Sequence, residues 1–190
     1  PLEGPSFELC SPITVLNNGL WAIPTQTWPG WDGHCPNGIQ MIILMSHDEG
    51  KTWPEYRTVM SSPKSNVYFW ETKIVEFSDG TLMVVAWKYD DEKGKDDTNQ
   101  YSLSYDGGNT WTTPRSTGLY GQTLTPYILP DDRILCVYRR MDQPGLWANL
   151  AHLQDGEWIN DTQIPIWGHD ASKLVSTDKN MSTNFTKLRF

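Results

Sequence analysis

Apolar and polar residues alternate with a period of two along much of this chain, and the alternation breaks at short clusters of Asn, Asp and Gly. Three stretches show it most clearly. VLNNGLWAIP (15–24), EFSDGTLMVVAW (76–87) and ILPDDRILCVYR (128–139) each run apolar segment, polar turn, apolar segment. Successive side chains of a strand point to opposite faces, so this period predicts strands rather than helices. Asn-Gly and Asp-Gly supply the positive φ angles that two-residue hairpin turns need, and such turns are expected at all three places. No stretch carries a helical period. The expected fold is all-β.

A second pattern recurs in phase with the first. SHDEGKTW (46–53) and SYDGGNTW (104–111) share Ser-x-Asp-x-Gly-x-Thr-Trp, five fixed positions in eight. A shorter third copy is read at Gln154-Asp155-Gly156-Glu157-Trp158. Asp48, Asp106 and Asp155 then lie 58 and 49 residues apart, a spacing that fits the four-stranded blades of a β-propeller. Each unit reads as strand A, hairpin, strand B, connection, strand C, Ser-x-Asp turn, strand D. In the middle unit these fall near 67–77, 81–88, 98–104 and 110–115. Three blades are expected near 7–62, 63–117 and 118–166, with a tail over 167–190 that begins a further one.

The chemistry of the eight-residue motif is that of a turn. An Asp carboxylate accepts hydrogen bonds from backbone amides just after it, and Gly takes a conformation that other residues resist. The Trp then packs its large apolar face between sheets. Ser46, Asp48, Gly50 and Trp53, and Ser104, Asp106, Gly108 and Trp111, are accordingly structural. A repeated element also makes a poor catalytic group where one site is needed.

Composition narrows the function classes. The formal charge of −8 and the lack of a basic run argue against nucleic acid as a partner. No apolar stretch reaches the ~20 residues of a membrane helix. The N-terminal PLEGPSFELC has no signal-peptide pattern, so a soluble protein, cytoplasmic or secreted, is expected. Cys10, Cys35 and Cys136 form neither a metal-ligand pattern nor a disulfide framework, and buried free thiols are expected, with no metal or other cofactor. Asn160, Asn180 and Asn184 sit in glycosylation sequons.

The two eight-residue motifs resemble the Asp-box, or BNR repeat, of the sialidase (neuraminidase) superfamily, and the resemblance extends over nearly the whole chain. The Trp70-Glu71 strand start and the closing Lys187-Leu188-Arg189-Phe190 are similar to bacterial sialidase-like proteins. The resemblance implies part of a six-bladed ring. It leaves function open, because Asp-box propellers include sialidases, other glycoside hydrolases, lyases and non-catalytic binders. It also places the site at the end of the blades opposite the boxes, where the B–C loops lie.

Those loops hold the candidates. The first (26–39) contains Trp28, Trp31, Asp32 and His34; the second (88–97) contains Tyr89, Asp90, Asp91 and Glu92; the third holds Tyr138, Arg139, Arg140 and Asp142. Glu71 starts strand A of the middle blade, with Trp87 and Lys88 expected opposite it across the hairpin. In sialidases a glutamate at such a place activates a tyrosine nucleophile, and the resemblance gives that role to Glu71. Its plain alternative is a partly buried glutamate satisfied by Lys88. Tyr138 is the candidate nucleophile, and Asp32 or His34 the general acid. Arg140, in preference to Arg139, is read as a ligand for a substrate carboxylate, with a surface ion pair as the plain alternative. Trp28, Trp31 and Trp70 form a possible sugar platform, and the acidic run 90–92 reads as a solvated loop. The chain departs from the family at Ala22-Ile23-Pro24, where an arginine would stand.

The functional expectation is therefore a sialidase-like glycoside hydrolase acting on an acidic or neutral terminal sugar, or a portion of one. The alternatives are a non-catalytic propeller that binds glycan or protein, and a lyase using His34 or Tyr138 as base. Self-association to complete the ring is a further expectation.

Overall fold

A computed structural model describes residues 6–28, 30, 32, 35, 38–62 and 66–170. Among them there is no helix, and the chain folds into three antiparallel sheets taken in sequence order. The first sheet contains β1 (Ser6–Glu8), β2 (Thr14–Val15), β3 (Trp21–Trp28), β4 (Met41–Ser46) and β5 (Glu55–Met60). β1 and β2 both pair with β3, at its two ends, so together they act as one interrupted edge strand. The second sheet contains β6 (Val67–Glu76), β7 (Leu82–Asp90), β8 (Lys95–Asp96), β9 (Gln100–Ser104) and β10 (Arg115–Ser116). Its order is β6-β7-β9-β10, with β8 extending β7 at one end. The third runs β11 (Gly121–Ile128), β12 (Ile134–Arg140), β13 (Leu146–Gln154) and β14 (Glu157–Trp167).

Alternation places two cores on the two faces of the second sheet. Leu82, Val84 and Ala86 of β7 pack with Met41, Ile43 and Met45 of the first sheet. Met83 and Val85, one residue out of phase, pack with Ile134, Cys136 and Tyr138 of the third. A strand buried on both faces reads as a continuous apolar run, which is what LMVVAW provides. Polar ties reinforce the stack. Arg57 donates to the Gly108 carbonyl at 2.9 Å, and Tyr101 donates to Gly156 O at 3.0 Å while accepting from Trp158 N at 3.0 Å.

The three hairpins are not two-residue turns. Leu16, Phe77 and Leu129 each donate to the carbonyl four residues on, closing three-residue loops. The third loop residue is left-handed each time: Gly19, Gly80 and Asp132 at φ 83°, 86° and 60°. An Asx side chain at the second loop position caps Leu20 N and Thr81 N at 3.0 and 2.8 Å. The expectation failed because Asn-Gly and Asp-Gly serve equally well in a three-residue loop, whose left-handed position follows the Asx.

Both Ser-x-Asp turns have one bonding pattern. Asp48 accepts from Thr52 N at 2.8 Å and Thr52 Oγ1 at 2.7 Å, and Asp106 from Thr110 N at 2.9 Å and Thr110 Oγ1 at 2.7 Å. Ser46 and Ser104 brace these carboxylates and receive Gly50 N and Gly108 N at 2.9 and 2.8 Å. The indoles of Trp53 and Trp111 return to the glycine carbonyls at 3.1 and 3.2 Å. The backbone N–H of Thr52, then its hydroxyl and that of Ser46, hold the Asp48 carboxyl down at about 2; Thr110 does the same for Asp106, also about 2. The third copy differs. Asp155 and Gly156, at φ 51° and 76°, form a two-residue turn closed by the Gln154–Glu157 pair. It occupies the same place in its sheet without the carboxylate turn.

The cysteines depart from expectation too. Only Cys136 is buried, its thiol pushed up to about 12 by burial; Cys35 is half-buried and Cys10 exposed, and all three are free. The Asn160 side chain is committed to Thr117 O, Asn149 Nδ2 and Trp158 Nε1. Asn180 and Asn184 lie outside the described residues.

Candidate active site

The hairpins and Ser-x-Asp turns occupy one end of every sheet, so the β3–β4, β7–β9 and β12–β13 connections occupy the other. At this loop end β6 does not pair regularly. Trp70 lies opposite Trp87 and Lys73 opposite Val85, leaving Glu71 and Thr72 in a bulge. Glu71 takes φ 52°, a region L-residues avoid. Its Oε2 and the Thr72 Oγ1 are buried without a hydrogen-bond partner among the described residues. The bulge is held from outside, by Ser11 Oγ donating to Thr72 O and Lys73 Nζ donating to Glu71 O at 3.3 Å.

The bulge corrects the expected pairing of Glu71. The extra residue shifts the register, so Trp87 faces Trp70 and Lys88 faces Phe69. Lys88 does not satisfy Glu71 either: its Nζ lies 2.8 Å from Asp97 Oδ2. The third sheet repeats the device. β11 has its own irregularity between Gln122 and Thr125, with Thr123 at φ 57°. A left-handed bulge is thus a feature of both edge strands, and the carboxylate on it belongs to the second sheet alone.

The arginines are committed. Arg140 grips Asp142 with Nε at 2.8 Å and Nη2 at 2.5 Å, reaches Gln163 at 3.1 Å, and stacks 4.7 Å over the Trp147 ring. The plain alternative, an ion pair, therefore describes Arg140, and no carboxylate ligand is left there. Arg139 bonds Gln122 through Nη2, and its buried Nε has no partner among the described residues. Tyr138 is a core residue, 1% exposed. Its ring lies so close over Gly121 that a Cβ there would meet it at 2.6 Å, and burial pushes its phenol up. The strand-end position suggested a nucleophile; the inward phase of β12 puts the ring in the interior instead.

Of the first loop, Trp28 ends β3 half-buried and Asp32 is exposed; Trp31 and His34 lie outside the described residues. Trp70 is brought together with Trp87 and Tyr89, and with Tyr68, which the sequence did not single out. Tyr68, Trp70, Trp87 and Tyr89 form one aromatic cluster, with Trp70 and Tyr89 stacked at 5.3 Å. Asp96 joins them, a residue the acidic run before it masks in the sequence. It sits on β8 opposite Tyr89. Burial pushes its carboxyl up, against the opposing pull of the neighbouring Trp87 indole N–H, and its Oδ1 is sealed from solvent. The signal available in sequence was Trp87-x-Tyr89 and Asp96 flanking a tight Gly94 turn, a two-strand extension of β7.

Among the described residues no group of His, Cys, Asp and Glu is arranged to hold a metal ion, and no helix is long and apolar enough to cross a membrane. No family model matches the chain, and no curated protein matches it. Solved structures do. It resembles a protein of unknown function from Dyadobacter fermentans DSM 18053, with 22% identity and TM-score 0.68 over 85% of this chain and 42% of that one. It also resembles a variant of the NanB sialidase from Streptococcus pneumoniae, with 12% identity and TM-score 0.62 over 87% of this chain and 45% of that one. A thermostable family-43 glycoside hydrolase matches with 13% identity and TM-score 0.59 over 86% of this chain and 61% of that one. These likenesses show the fold, one shared with sialidases and other glycoside hydrolases. The chain spans less than half the length of the first two.

Proposed function

We propose that the chain is part or all of a glycoside hydrolase of sialidase-like fold, acting on a terminal sugar at the loop end of its sheets, with Glu71 as the assisting carboxylate. The sheets are then three blades of a propeller, the Ser-x-Asp turns its Asp-boxes, and copies associate through the open outer faces. The observation that carries the reading is Glu71 itself. A left-handed glutamate with a buried, unpartnered oxygen is costly in two ways at once. Such strain collects where a side chain must be held for a task.

The test is hydrolysis of a panel of 4-nitrophenyl glycosides and a sialoside by the chain and by Glu71→Gln. The variant should lose at least ~100-fold in kcat/KM, the usual range for removing a positioned acid or base. Full activity in the variant would remove Glu71 from the mechanism. A second reading, a non-catalytic glycan binder, is favoured by the aromatic cluster and by the burial of Tyr138. It expects binding without turnover, unaffected by Glu71→Gln.

A further inference from the structure

The aromatic cluster occupies one face of the second sheet. Met83 and Val85 look toward the third sheet, so alternation carries Trp87 and Tyr89 onto that face. Pairing adds Trp70 opposite Trp87, and Tyr68 and Asp96 opposite Tyr89. Trp70 and Tyr89 are nearly parallel at 16°, Tyr68 and Tyr89 at 20° and 6.1 Å, while Trp87 meets Trp70 edge-on at 4.7 Å. All four rings are half-buried, unlike the closed core below them. Aromatic surface that is ordered yet still wet suits the C–H face of a sugar ring, with polar groups at its rim for the hydroxyls.

The charges around this face select among sugars. From 88 to 97 five carboxylates accompany three lysines. Lys88 and Lys95, opposite Phe69 and Asp90, lie on the other face of the sheet. Lys93 is taken by Asp90 at 2.5 Å and Arg140 by Asp142. The polar groups at the rim include the Asp91 carboxyl beside Tyr68 and Tyr89, the Asp96 carboxyl and the nearby Tyr120 phenol, and burial pushes the last two up. Among the described residues, a ligand carboxylate would meet carboxylates here and no unpaired cation.

We infer that Tyr68, Trp70, Trp87 and Tyr89, rimmed by Asp96, bind an uncharged sugar ring. This rests on the glycan reading above and narrows it to neutral glycosides.

The test titrates the chain with methyl glycosides of one ring in neutral and carboxylate form, a glucopyranoside and its glucuronide, plus a xyloside and a sialoside, by calorimetry and tryptophan fluorescence. A neutral glycoside should bind at least ~10-fold more tightly than its carboxylate counterpart, with little salt dependence. Tyr89→Leu should weaken it ~10-fold, the scale of one aromatic contact, while Tyr105→Leu, at an exposed tyrosine in the Ser-x-Asp turn at the opposite end of the sheet, leaves the affinity unchanged. Melting curves matching the parent chain certify both variants. Tighter binding of the glucuronide or sialoside would overturn the neutral assignment and leave the glycan reading standing. Unchanged affinity in Tyr89→Leu would move the site elsewhere. Silence from every glycoside would overturn both readings. Binding without hydrolysis would strike the hydrolase reading alone.

Discussion

At Glu71, backbone and side chain can be separated by substitution. Glycine ordinarily destabilises a strand relative to alanine, because it loses more freedom on folding. At φ 52° the order should reverse. Glu71→Ala and Glu71→Gly both remove the unpartnered oxygen, but only glycine relieves the left-handed backbone. Glu71→Gly should be the more stable variant by about 1 kcal/mol in urea unfolding, and both should lack activity. The ordinary order would mean that Glu71 leaves the left-handed region in solution. Glu71 was legible in sequence as an acidic residue before an apolar run, but its place inside the ten-residue β6 and its bulge were not. Nothing in WETKIV marks an extra residue, because a bulge is decided by what packs on both sides of the strand. Arg140 shows the complementary limit. Its position was read correctly, and its commitment to Asp142 and Gln163 depended on a loop and a strand up to 23 residues away.

At the scale of elements, the Ser-x-Asp turns make a prediction in acid. Asp48 and Asp106 are held at about 2 by the Thr52 and Thr110 amides and hydroxyls, below the 3.8 of the ordinary carboxyl. Their contribution to stability is complete above that unfolded value and disappears as pH falls toward about 2, because the unfolded chain takes up these protons first. Urea midpoints should therefore drop between about pH 4 and 2. Asp48→Asn with Asp106→Asn should flatten that part of the profile. An unchanged acid limb would assign it to other carboxylates. The strand β11 gives a second element-scale test. A Cβ at Gly121 would meet Arg139 O at 2.4 Å and the Tyr138 ring at 2.6 Å, so Gly121→Ala should cost at least about 2 kcal/mol through overpacking. A neutral result would mean that β11 and β12 separate there freely. These turns were the most legible part of the chain, since their bonds are made within five residues. The three-residue hairpin loops were legible in position and not in type.

For the whole molecule, the stacking that buries both faces of the second sheet leaves the outer face of the third uncovered by the described residues. Tyr127 and Ile164 are exposed there, with Leu135 and Val137 half-buried between them. The order of three sheets followed from the repeat, but sequence could not say what covers this face. Apolar strand surface of this kind is a docking face or an aggregation hazard. If a second copy covers it, as proposed, the mass by light scattering should rise from monomer toward dimer with protein concentration. Added salt should not reverse the rise, because the contact is apolar and the opposed charges few. Ile164→Lys, placed on an exposed strand position, should hold the chain monomeric without lowering its melting temperature. A chain that stays monomeric at every concentration would end the self-association proposal. Growth past the dimer into large particles would do so too, since two copies closing on one another leave no face to propagate.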